Sequence, residues 1–172
     1  MANIYDTLDW SGSTTYKKNN VVKYLGNYFY SLIDNNTNNT PSVSSASWGG
    51  QGIDPVDNSQ KAEFIWSPSY NLNIDISPRV KIIKFGDGFR QILPDSINSS
   101  LINLECVFDG RDTNECLAIL HFLLARNGTE TFLFTCPPPL NKKKRFKCNS
   151  FPMSINFYEN NSIRCIFEES PI

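Results

Sequence analysis

Short apolar stretches rich in Val, Ile, Tyr and Phe recur along the chain, and Gly, Asn and Pro separate them. Stretches of roughly five such residues between turn-forming residues are typical of β-strands. The first pair, residues 20–24 and 28–32, is separated by the tight-turn sequence Leu25-Gly26-Asn27. This arrangement predicts a β-hairpin near the N-terminus.

A second hairpin is predicted around Asp87. Residues 79–85 are rich in β-branched side chains, the sequence Gly86-Asp87-Gly88 interrupts them, and residues 89–93 are again largely apolar. Asp-Gly between two such stretches favours a hairpin turn, because glycine adopts positive φ at no steric cost. The two glycines do not form a phosphate-binding loop, since a strand rather than the N-terminus of a helix follows them.

One segment, residues 113–126, has the pattern of a helix. Asp112 and Glu115 form a capping-box pattern, and Asn127-Gly128 is typical of a helix end. One helix among roughly nine or ten predicted strands makes the fold mainly β, or a β-rich α+β fold with the helix packed on one sheet face. The predicted apolar stripe of the helix consists of Cys116, Leu117, Leu120, Leu123 and Leu124.

The chain changes character between residues 34 and 60, where Asn, Thr, Ser, Gly and Pro dominate. Such composition predicts a long loop followed by a linker. We therefore expect a small β-module over residues 1–50, a linker over residues 51–60, and a larger domain over residues 61–172.

Composition excludes several broad classes of protein. The 172 residues carry 16 Lys and Arg against 17 Asp and Glu, a net charge of -1, which does not suit a protein that coats DNA. Aromatic residues make up 13% of the chain, so a disordered protein is excluded. The sequence also shows no secretory signal and no apolar run long enough for a membrane span, so no membrane insertion is expected.

The residue types that carry enzyme chemistry are scarce. His121 is the only histidine, and its surroundings predict a packed or half-exposed side chain rather than a catalytic base. The cysteines are odd in number, lack paired Cys-x-x-Cys spacing and are expected to be buried free thiols, although convergence of distant cysteines on a metal stays open. We therefore expect no enzyme activity, no catalytic residues, no cofactor and no metal. The five cysteines are Cys106, Cys116, Cys136, Cys148 and Cys165.

One concentrated run of positive charge occurs, with Lys147 close behind it. Three interpretations stay open: a solvated loop, a contact with an acidic face of another subunit, or a contact with DNA. The four residues of the run are Lys142, Lys143, Lys144 and Arg145.

The region from about Phe64 to Glu168 resembles the minor tail protein M family of lambda-like phages, which contributes to the tail tip. The order and spacing of several motifs carry this resemblance. They are Phe64-Ile65-Trp66-Ser67-Pro68-Ser69-Tyr70, Pro78-Arg79-Val80, Phe85-Gly86-Asp87-Gly88-Phe89-Arg90-Gln91, Pro94-Asp95-Ser96-Ile97-Asn98, Phe122-Leu123, Phe132-Leu133-Phe134-Thr135-Cys136-Pro137-Pro138 and Phe146-Lys147-Cys148.

The resemblance implies a β-sandwich or barrel like that of the tail-tube subunit, with one packed helix. It further implies a homohexameric ring at the virion tail tip that joins the tail tube to the tail hub and lets DNA pass during ejection, after assembly in the bacterial cytoplasm. The implied partners are other copies of the chain, the tail tube protein, the tail hub and other tip proteins, and the tape-measure protein, without sequence-specific nucleic-acid binding. Asp87, Arg90 and the basic run at residues 142–145 are the candidate contacts between subunits or with the lumen.

A second resemblance covers about Trp10 to Trp48, which is similar to the small carbohydrate-binding modules of chitinases and cellulases. It implies a peripheral module that binds a cell-surface glycan, with Trp10, Trp48 and Tyr28 as candidate stacking residues, since sugar C–H faces pack on exposed aromatic rings. Both tryptophans are also compatible with positions in the core of the module, because a module of roughly 50 residues needs most of its aromatic rings for its own core. The matching residues are Trp10, Tyr16, Val22, Tyr24, Gly26, Phe29 and Trp48.

The sequence is therefore compatible with three different functions. The first is a structural tail-tip protein with a glycan-binding-like module. The second is a carbohydrate-binding surface or adhesion protein, against which the absent signal and the free cysteines argue. The third is a cell-wall hydrolase, for which no nucleophile–base pair is evident.

Overall fold

A computed structural model of the chain describes residues 8–50, 63–69, 72–157 and 159–171. Residues 8–50, here called the N-terminal module, contain short strands only. These are β1 (Thr15–Tyr16), β2 (Val21–Tyr24), β3 (Asn27–Ser31), β4 (Asn36–Thr37) and β5 (Trp48–Gly50).

The described residues from 63 onwards, here called the C-terminal domain, contain nine strands and a helix. The predicted mainly-β class is confirmed. The elements are β6 (Glu63–Phe64), β7 (Asn73–Ile76), β8 (Val80–Lys84), β9 (Arg90–Pro94), β10 (Ile102–Arg111), α1 (Thr113–Arg126), β11 (Phe132–Thr135), β12 (Lys143–Cys148), β13 (Met153–Phe157) and β14 (Asn160–Glu169).

One seven-stranded sheet organises the C-terminal domain, in the order β6-β11-β12-β14-β10-β7, with β13 also paired to β14. The long strands β10 and β14 run antiparallel, from Asn103 opposite Glu168 to Arg111 opposite Asn161. Their side chains alternate between buried and more exposed, as expected for a sheet with one face against a core. The helix α1 covers that buried face.

The helix has the bounds and caps that the sequence predicts. The Asp112 side chain accepts a hydrogen bond from the Glu115 backbone N–H at 2.7 Å, and Asn127 ends the helix in the left-handed conformation with φ 46°. The predicted apolar stripe is wrong in part, because Leu117 is exposed and Leu120 and Leu124 are only half-buried. The buried face is instead formed by Cys116, Ala118, Ile119, His121, Phe122, Leu123 and Arg126.

Phe64, on the two-residue strand β6, lies at the centre of the main core. It is 2% exposed, and its ring centroid lies 5.0–5.8 Å from those of its aromatic neighbours. Aromatic side chains of the sheet and of the helix therefore both pack against Phe64. The neighbouring rings belong to Trp66, Phe108, Phe122, Phe132, Phe134 and Phe167.

The N-terminal module has a small core of its own, formed by Tyr16, Val22 and Trp48. The predicted hairpin is confirmed as β2–β3, which β5 extends to three strands. The expected loop beyond residue 33 contains β4 and β5, so it is partly ordered into strands. The predicted linker, residues 51–60, lies outside the described residues.

The module also contributes to the core of the C-terminal domain. Tyr30 is buried with that core and lies 5.1 Å from the Trp66 ring, and the Trp66 indole donates a hydrogen bond to Asn19 at 3.3 Å. Burial raises the pKa of Tyr30 to about 12. The module therefore packs directly on the C-terminal domain.

Candidate assembly surface

The predicted hairpin at Asp87 is confirmed as a two-stranded sheet of its own, separate from the seven-stranded sheet. Strands β8 and β9 pair from Val80 opposite Pro94 to Lys84 opposite Arg90. The turn is closed by a hydrogen bond of 2.8 Å from the Phe85 N–H to the Phe89 carbonyl. We call residues 80–94 the β8–β9 hairpin.

Large apolar side chains are exposed on both faces of this hairpin. One face carries Val80, Ile82 and Ile92, and Ile92 is 63% exposed; the aromatic pair Phe85 and Phe89 lies at the tip. An isolated two-stranded hairpin is at best marginally stable in water, and an exposed apolar patch usually marks a contact surface. The hairpin is therefore the strongest candidate for an intermolecular contact among the described residues.

The two predicted contact residues of the hairpin lie at its outer end. Asp87 is exposed in the turn, and Arg90 is exposed directly opposite Lys84. Like charges directly opposite each other destabilise a strand pair. A carboxylate on a binding partner would relieve this repulsion.

A second exposed apolar patch, which the sequence did not predict, lies on strand β13. Ile155 and Phe157 alternate with Ser154 and Asn156, and they are 76% and 75% exposed. We call Ile155 and Phe157 the β13 patch. The alternation of apolar and polar residues in this segment predicts a strand. Only the structure shows that no described element covers the two apolar side chains.

Half of the basic run is neutralised within the chain. Lys143 pairs with Glu63 at 2.8 Å, and Lys144 pairs with Glu169 at 2.8 Å. A further pair, Lys147 with Glu168 at 3.2 Å, lies beside them. Such pairs contribute little stability where they are exposed.

The unpaired charge of this run lies on two side chains. Within the described ranges, Lys142 and Arg145 have no acidic partner. Any charge contact of the run with another molecule is therefore expected mainly at Lys142 and Arg145, and the contact itself stays a prediction.

A family model described as phage minor tail protein matches residues 62–170, which is more than half of the chain. The chain belongs to the phage minor tail protein family. The matched region includes the whole described C-terminal domain except residue 171, so the hairpin, the β13 patch and the basic run are all parts of it. No curated protein matches the chain.

Family membership makes this minor tail protein a structural component of a phage tail and so of the virion. Contacts with other tail proteins follow from such a role. The described helix is too short and too polar to cross a membrane.

The cysteines of this minor tail protein are all free and buried. Burial raises the pKa of the Cys116 thiol to about 11 and raises that of Cys106 further, so both stay protonated near neutral pH. No cluster of His, Cys, Asp and Glu suited to a metal occurs in the part of the chain that the structure describes. The thiols fill space in the core, as small apolar side chains do.

The three candidate glycan-stacking residues do not form one surface. Trp48 is 3% exposed, and its indole donates a hydrogen bond of 2.8 Å to the Asn39 carbonyl, so its ring faces are taken by the module core. Half-buried Tyr28 lies 5.0 Å from the ring of His121. Half-buried Trp10 packs edge-on against Tyr24 at 5.3 Å.

The position of Tyr28 also explains why His121 is buried. The histidine faces the module rather than solvent, and burial lowers its pKa. A charged imidazolium is thus disfavoured at this junction. The side chain acts in packing, as the sequence predicted.

Proposed function

We propose that this minor tail protein is a subunit of a ring at the tip of the phage tail, which joins the tail tube to the tail hub. The ring is a homohexamer, and its copies bind each other, the tube protein, the hub and other tip proteins, and the tape-measure protein. It assembles in the host cytoplasm, and DNA passes through it during ejection. The protein acts by binding and has no catalytic role.

The β8–β9 hairpin is the observation that supports this proposal. It exposes apolar side chains on both faces, yet no residue of the main core comes from residues 77–101. The fold of the C-terminal domain thus does not require the hairpin, and its apolar surface is available for binding to another subunit. A structural protein that functions only in an assembly is expected to carry such a surface.

Removing the hairpin is expected to abolish assembly without unfolding the domain. We suggest joining Arg79 to Asp95 through an Asn-Gly turn, because the Asp95 N–H already donates to the Arg79 carbonyl at 3.1 Å. Native mass spectrometry, with and without tail-tube and hub proteins, would then show monomers where the wild type forms rings. Circular dichroism serves as the folding control.

A wild-type chain that stays monomeric with its tail partners, or a hairpin-deleted chain that still forms rings, would contradict this proposal. Counting the chain in images of intact tails gives an independent test. A stoichiometry other than six at the tip would contradict the homohexamer.

Glycan binding by the N-terminal module is a second proposal, and in this structure it depends chiefly on Trp10. Trp48 is unsuitable as a probe, because replacing a buried core residue would unfold the module. Trp10 and the exposed Leu8 lie on one short segment and provide a matched pair.

We expect the wild-type protein to bind insoluble chitin, and Trp10→Ala to lose at least about tenfold of that binding, since a stacked aromatic ring dominates such contacts. Leu8→Ala should bind as the wild type does. Pull-down with densitometry measures both. Absence of wild-type binding, or equal binding by the two variants, would remove the glycan role.

A further inference from the structure

Two exposed apolar patches lie at opposite ends of the seven-stranded sheet. The β8–β9 hairpin leaves the sheet where Ile76 pairs with Ile102, at the start of β10. The β13 patch lies beside the turn into β14, where Arg111 at the end of β10 pairs with Asn161. Ten residues of β10 separate these ends, a length of about 30 Å.

One face of the β8–β9 hairpin carries three cross-strand pairs, which are every second pair along the two strands. Val80 with Pro94 and Ile82 with Ile92 give an apolar surface, and Lys84 with Arg90 ends it with two cations. The opposite face of the same hairpin carries Lys81 opposite Leu93. Lys81 therefore provides a cation of the same hairpin that points away from the proposed contact.

The β13 patch has the complementary order of apolar and charged groups. Ile155 and Phe157 are both exposed on β13, with a shift of register between them, and exposed Glu159 follows them in the turn. Within the described residues Glu159 has no ion-pair partner. An apolar surface that ends in a carboxylate thus matches an apolar surface that ends in two cations.

We propose that the β8–β9 hairpin of one copy binds the β13 patch of the next copy, with Lys84 and Arg90 facing Glu159. The two patches are different and lie at opposite ends of the sheet, so the contact is head-to-tail. Repetition of a head-to-tail contact closes into a ring when the rotation between copies allows it. The inference deepens the proposed ring by naming the surfaces that join its subunits.

Cross-linking between two differently labelled copies tests this pairing. One copy carries Ile82→Cys and the other carries Ile155→Cys, and a short bismaleimide links cysteines that lie close together. The native cysteines are buried, so the reagent should react only with the introduced thiols, and wild-type protein checks this. Val43→Cys, exposed on the N-terminal module, replaces either partner as the control.

We expect linked dimers only from the mixture of Ile82→Cys and Ile155→Cys, both in the purified assembly and in isolated tails. Links within the Ile82→Cys sample alone would show a symmetric contact instead and overturn the proposal. Links from either position to another tail protein would overturn it as well. Rings without any link would refute this pairing but leave the ring intact, whereas absence of rings would refute both.

Charge reversal gives a second test. Lys84→Glu and Glu159→Lys should each weaken self-association by about tenfold, and the double variant should recover most of it. Lys81→Glu on the opposite face is the matched control and should leave self-association near the wild-type value. Failure of the double variant to recover, or an equal loss in the control, would refute the contact between these charges.

Discussion

Replacing Phe64 with alanine is expected to lower the free energy of unfolding of the C-terminal domain by about 4 kcal/mol. The Phe64 ring is buried among rings from the helix and from strands β11 and β14 of the sheet. These neighbours are held by different elements and cannot collapse together, so a cavity remains. A loss of this size is a large part of the roughly 5–15 kcal/mol that stabilises an ordinary domain.

Urea unfolding followed by circular dichroism measures this loss as a shift of the midpoint. Phe85→Ala is the matched control, because Phe85 is half-exposed at the tip of the β8–β9 hairpin and should change the stability by less than about 0.5 kcal/mol. Similar values for the two variants would show that Phe64 is not the centre of the core.

The features of the fold that depend on local sequence could be predicted. Asp112 and Glu115 fix the start of the helix through a hydrogen bond between residues three positions apart. Asp87 lies in a turn because Gly88, directly after it, adopts a positive φ of 77° at no steric cost. Both signals lie within a few residues and need no knowledge of the rest of the chain.

The features that depend on distant residues could not be predicted. Lys143 looked like part of a free positive run, yet its partner Glu63 lies 80 residues away. The helix stripe was misplaced because Ala118 and His121 are buried as well, and the N-terminal module that His121 faces folds from a separate segment. The β13 patch is defined by the absence of a covering element, which no local pattern records.

The glycan-binding resemblance shows the same limit. Sequence places Tyr28 and Trp48 among aromatic residues of a module but does not say which rings face outwards. In the structure Trp48 forms the module core and Tyr28 faces the helix. The aromatic residues of the module thus serve packing to a greater extent than the resemblance implies.

The junction between module and domain gives the second large prediction. Gly49→Ala is expected to separate the N-terminal module from the C-terminal domain and to destabilise the junction by about 3 kcal/mol. Gly49 pairs directly with Tyr30, and a Cβ atom there would lie 2.6 Å from the Tyr30 hydroxyl oxygen and overlap the ring. Because the ring is held against Trp66, it cannot move without leaving the core.

Gly50→Ala is the matched control at the next position of the same strand. Its Cβ atom would meet Phe29 at an ordinary contact distance of 3.9 Å, so it should change the stability little. Hydrogen exchange followed by mass spectrometry should show faster exchange in Gly49→Ala at two places, residues 27–31 of the module and residues 118–123 of the helix. Exchange confined to the module would show that Tyr30 does not couple the two units, and equal exchange in the two variants would show that Gly49 has no special role.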